Sequence, residues 1–184
     1  MGKISLAALF SASALLWISA SLGSEQAPLP NSLSEAIEHF APGARVVSTK
    51  DVDGISCAPV RETPGVVRAD FNGDGHEDYA LLLTKETGKE TPWQGSMLKE
   101  ARFSFAFFMR SADGKYQPRV VLRDVGFIPA TIVLSLQPAG KVRHRETHKN
   151  IELKYPGVML SFCEKSATTY YFAERKIRSI PIAD

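Results

Sequence analysis

Between Asp70 and Asp78 the sequence runs Asp-Phe-Asn-Gly-Asp-Gly-His-Glu-Asp, so oxygen-bearing side chains recur at alternate positions around two glycines. With Asp70 as position one, Asn72, Asp74 and Asp78 fall at three, five and nine. Gly75 falls at six, where calcium loops turn sharply, and the backbone carbonyl of His76 stands at seven. Oxygen donors that include several carboxylates suit a hard cation such as calcium. Carboxylates crowded into one turn repel one another without a cation, which favours metal ligation over the metal-free Asx turn that Asn, Asp and Gly also form. Position twelve is Leu81 rather than the bidentate glutamate of an EF-hand, and strand-forming residues follow instead of a helix. The expected affinity is therefore weak, on the order of 10⁻⁴ to 10⁻³ M.

The pattern resembles the D-x-N-x-D-G-x-x-D loops of the FG-GAP, VCBS and integrin-alpha propeller repeats, in which the ion sits in the turn between two strands of a blade. The loop occurs once and no period of blade length runs along the chain, so the resemblance extends to the loop alone. It implies Ca²⁺ as the cofactor, held by Asp70, Asn72, Asp74, Asp78 and the carbonyl of His76.

Strand-like residues flank the loop, Val66 to Ala69 before it and Tyr79 to Leu83 after it. The second run is apolar on both faces, as in a strand inside a sheet. Upstream, Asn31 or Ser32 is expected to cap a helix carrying Leu33, Ala36, Ile37 and Phe40 at helical spacing, stopped by Pro42-Gly43. Arg45 to Ser48 reads as a strand, and Asp51-Val52-Asp53-Gly54 as a plain turn. Lys85 to Glu100 is polar and aperiodic and reads as a long loop, with Trp93 either the anchor for a partner or a lid folded back on the core. Phe103, Phe105 and Phe107 give the next strand an aromatic face, and Asp113-Gly114 turns it into Tyr116 to Leu122. Thr131 to Leu136, Ile151 to Leu153, Val158 to Cys163, Thr168 to Phe172 and Ile177 to Ile182 read as further short strands. His144 and His148 have the spacing of a zinc-binding helix, but Lys141 to Lys149 lies between strand patterns and reads as a solvated basic loop. The expected fold is α+β, mostly β: an N-terminal helix on a largely antiparallel meander sheet, with the calcium loop between two strands.

Lys3 precedes an uncharged apolar run from Ile4 to Leu22 diluted by serines, with Ser21 and Gly23 offering a cleavage site before Glu25. Residues 1–23 therefore read as a signal peptide, and 24–184 as a single calcium-loop domain with no membrane span once the signal is removed. In a periplasmic or extracellular setting Cys57 and Cys163 are expected to form a disulfide. With 22 Lys and Arg against 20 Asp and Glu, the charge balance points away from nucleic acid and anionic membranes. No Walker loop, nucleophile elbow, dinucleotide fingerprint or zinc-protease helix is present. The functional expectation is an exported, non-catalytic calcium-binding module that binds or inhibits a protein, of the immunity type. The alternatives are a purely structural accessory domain and a metal-dependent hydrolase whose site has no recognised motif.

Overall fold

The computed structural model describes residues 28–52, 63–93, 96–127, 132–162 and 165–182. The expected signal segment, and both Cys57 and Cys163 with their expected disulfide, lie outside the described residues.

Helix α1 (Asn31–Phe40) presents Leu33, Ile37 and Phe40 on one face, all buried. Burial of such side chains contributes on the order of 1.5–3 kcal/mol each, more than the weak propensity of a ten-residue helix supplies. Pro30, not Asn31 or Ser32, occupies the capping position, and no side chain caps the helix. Proline has the extended backbone a cap requires, and packing of the apolar face makes a capping hydroxyl dispensable. The helix closes with the Ala41 amide donating to the Ile37 carbonyl, and Gly43 reverses the chain at φ +70°.

The chain is mostly β, and its strands are antiparallel. They do not form one meander. A five-stranded sheet contains β1 (Arg45–Val46), β2 (Val66–Ala69), β3 (Asp78–Trp93), β4 (Ser96–Arg110) and β5 (Tyr116–Phe127). Both β1 and β2 lie end to end along the same edge of β3. They meet at Gly65, where an added Cβ would stand 2.4 Å from the Val47 carbonyl oxygen, closer than any side chain permits. A four-stranded sheet follows in the order β11 (Lys176–Ile182), β10 (Ser166–Ala173), β9 (Gly157–Phe162), β6 (Ile132–Gln137). The hairpin of β7 (Gly140–Arg143) and β8 (Asn150–Leu153) is separate, and its Val142 and Leu153 pack around Ile180 of β11.

Residue alternation assigns the faces. In β3, Tyr79, Leu81 and Leu83 meet α1, together with Ala106 and Phe108 of β4. Ala80 and Leu82 point the other way, with Phe103, Phe105 and Phe107, into a core shared with Ile132, Leu134, Val158 and Leu160 of the second sheet. Edge-to-face rings bridge the two sheets, Phe105 to Tyr170 at 5.5 Å and Phe107 to Phe172 at 5.1 Å between centroids.

The expected loop over Lys85 to Glu100 is instead a continuation of the β3–β4 hairpin. Past Glu86, paired with Ala101, the two strands slip register around Gly88 (φ +75°) and resume with Glu90 opposite Lys99, reaching Trp93 opposite Ser96. The described side chains at 85–90, Pro92, Met97 and Lys99 are exposed, and such residues carry no apolar alternation to betray a strand. The basic segment expected as a loop likewise begins as strand β7, and only its remainder is turn.

Candidate functional site

The loop joins β2 to β3, and the register Ala69 opposite Asp78 closes it as the mouth of an antiparallel pair. Asp70 organises its interior. One carboxylate oxygen accepts from the amides of Gly73 at 2.6 Å and Asp74 at 3.2 Å, and the other from Gly75 at 2.8 Å. The Asn72 carbonyl oxygen accepts from the Asp74 amide at 2.9 Å, while its side-chain N–H donates to Asp74 at the same distance. Asp74 also accepts from the His76 amide at 2.9 Å. Gly73 and Gly75 stand at φ +76° and +85°, the left-handed region that favours glycine.

Two residues bolt the loop to the body of the protein. Phe71 is fully buried, its ring 5.0 Å from that of Phe107 in an edge-to-face contact. Asp78 is also fully buried, and accepts from the Phe71 amide at 3.2 Å and the Arg110 amide at 2.7 Å. Burial pushes the Asp78 carboxyl up to about 6; the two amides pull it down, and the charges of Asp74 and Asp70 raise it further. For Asp74, burial acts upward but is outweighed by the bonds from Asn72 and the His76 amide, which hold its carboxyl below the usual carboxylate range. The field of the loop is thus negative, and its carboxylates act on one another.

The structure brings Asp70, Asn72, Asp74, His76 and Asp78 into one turn. In this conformation the carboxylates serve the loop's own amides, and among the described residues no three acids or histidines are gathered as a metal cluster. The donor set suits calcium in chemistry: hard oxygens on a glycine-hinged turn, with carboxylate lone pairs beyond those the amides engage.

Three positioning residues escape a reading of the sequence. Tyr155, in the β8–β9 turn, lies so close to Gly73 that an added Cβ would come within 2.1 Å of its ring. Lys154 stacks its ammonium 5.0 Å from that ring's centre. Arg110 contributes a backbone amide to the loop, which any residue but proline would supply. Phe71, by contrast, is signalled by its place as the single aromatic in a polar loop.

The other candidates stand apart from the loop. Asp51 is paired with Arg45 through two bonds of 2.6 and 2.7 Å and accepts from Ser48, so its carboxylate is committed elsewhere; Asp53 lies outside the described residues. His144 Nδ1 accepts from the amides of Glu146 and Thr147, and the His148 amide donates to the His144 carbonyl, a turn rather than a helical face. The backbone of Trp93 stands at the far end of the β3–β4 ribbon. Comparison of the chain with family models, with curated proteins and with solved structures found no match. No helix among the described residues is long and apolar enough to cross a membrane.

Proposed function

We propose that the chain is an exported, non-catalytic module, periplasmic or secreted, that is stabilised by Ca²⁺ in the Asp70–Asp78 loop and binds a protein partner, as an inhibitor or immunity-type protein does. The observation that carries the metal reading is the buried Asp78, held in place by two amides while Asp70 and Asp74 act on it through their charge. A cation there would relieve that repulsion. It would be held by Asp70, Asn72, Asp74, Asp78 and the His76 carbonyl, and its role would be to fasten β2 to β3. The partner reading is supported by the β3–β4 ribbon beyond Glu86, whose described side chains at 87–90, Pro92, Met97 and Lys99 are exposed. Trp93 belongs to the same ribbon, and an aromatic there is the residue type that anchors interfaces.

Thermal unfolding tests the metal. At about ten times the weakest expected dissociation constant, calcium should add roughly 1.4 kcal/mol, a rise in Tm of about 3–6 °C over the chelated protein. Magnesium, which resists irregular oxygen cages, should give less. Asp74→Ala should remove the response while the fold persists. An unchanged wild-type Tm would leave the loop as a metal-free turn. Capture of partners from the native envelope, with and without chelator, tests the binding role, and replacing Trp93 by Ala should weaken it.

A further inference from the structure

The face of the five-stranded sheet that carries α1 is not covered along its whole length. The helix ends at Phe40, and beyond it the cross-strand row Lys85–Arg102 continues the row Leu83–Ser104 beneath an open cleft of about 250 Å³. Ala41, Pro42 and Ala44 form its accessible apolar part, over the buried Phe40 and Leu83. Lys85, Arg102 and Arg123 bring three cations to it, against the single carboxylate of Asp124. The cleft therefore carries the same formal excess, +2, as the entire chain.

The end of α1 accounts for part of this charge. Lys85 Nζ donates to the Pro42 carbonyl at 2.7 Å, and Arg123 donates to the Phe40 carbonyl at 3.3 Å, as cations do at a helix C-terminus. Arg102 is paired with Asp124. Each of these contacts engages one N–H, whereas an ammonium has three and a guanidinium five. Arg123 is also held 5.2 Å over the Phe40 ring, which orders its guanidinium and leaves its N–H edge for a further acceptor. Cations of one sign at the wall of a cleft, backed by apolar surface, concentrate anions there.

We propose that this cleft binds a small oxyanion-bearing ligand, a carboxylate or phosphate group whose short apolar body lies against Ala41, Pro42 and Ala44. The volume lies below that of sites for drug-sized ligands, which limits the occupant to a few heavy atoms. The inference does not depend on calcium and stands apart from the metal loop.

The test is titration of the full chain, in chelator, with inorganic phosphate and separately with butyrate, followed by backbone amide and arginine side-chain NMR. The expected result is saturable shifts confined to residues 41–44, 83–85, 102–104 and 123–124, with an affinity that falls as salt rises. Arg123→Gln and Arg102→Gln should each weaken binding by about fivefold or more, as expected for loss of a charge-assisted bond. Lys115→Gln, in the exposed turn after β4, should leave it unchanged. Tighter binding of butyrate identifies the apolar contact, and tighter binding of phosphate identifies charge as the main determinant; either supports the site. Absence of saturation up to about 50 mM of both probes, or equal weakening by Lys115→Gln, overturns it. Because Arg102 is half exposed, its variant keeps the test decisive even if Arg123→Gln loses its fold.

Discussion

Gly73 and Gly75 share a left-handed backbone yet face different surroundings: the Cβ of a substituted Gly75 would meet nothing, whereas that of Gly73 would enter the Tyr155 ring. Gly75→Ala should therefore cost only the conformational term, about 1–2 kcal/mol. Gly73→Ala should cost about 2–4 kcal/mol, because overpacking adds to it. Urea unfolding of both variants distinguishes the two terms, and a cycle with Tyr155→Ala should show a coupling of about 1 kcal/mol or more. Asp51 supplies a pH signature away from the loop. The bidentate bond from Arg45, together with the bonds from Ser48, lowers its carboxyl to about 2 despite burial. A folded-state value below the unfolded one means stability fully present above the unfolded value, near 4, and lost as pH falls through about 2. Since Arg45 is half exposed, screening reduces the contribution to about 1 kcal/mol. Asp51→Asn should be destabilised by that amount at neutral pH, with the gap to wild type closing below about pH 4.

The β3–β4 hairpin is one element with two environments. Up to Glu86 and Ala101 it lies between β2 and β5 and supplies both cores; beyond them, the register slip at Gly88 marks the start of a ribbon with no core residue among its described side chains. Joining Glu86 to Ala101 through an Asn-Gly turn, in place of residues 87–100, uses an existing cross-strand pair as the hairpin end. The shortened protein should keep a cooperative transition with a Tm within about 3 °C of wild type, since changes away from core features shift stability by about 0.5 kcal/mol. Loss of the cooperative transition on heating would show that the ribbon is structural. If it is the partner contact, the same variant should fail to capture partners while its calcium response is retained.

At the level of the whole molecule, the two hydrophobic cores meet across β3 and β4, whose successive side chains alternate between α1 and the second sheet. Phe71 links the loop to the core between the sheets, so Phe71→Ala should cost about 3–5 kcal/mol and loosen the Asp70–Asp78 loop together with it. Far-UV circular dichroism and near-UV signals should still unfold together, because neither core can open without the strands they share. The sequence by itself determined what is local: the mostly-β class, the turn chemistry of Asp70 to Asp78, the strands on both sides of it, and the two-faced burial of Tyr79 to Leu83. These follow from side-chain period and from the backbone demands of glycine, which neighbouring residues carry in full. Tertiary structure alone decided that the strands divide into two sheets and a separate hairpin, that Lys85 to Glu100 is paired, that Tyr155 closes over Gly73, and that Lys85, Arg102 and Arg123 converge beyond the end of α1. Alternation states which face a side chain takes and is silent on which strand lies beside it; that choice is made by how distant apolar faces cover one another.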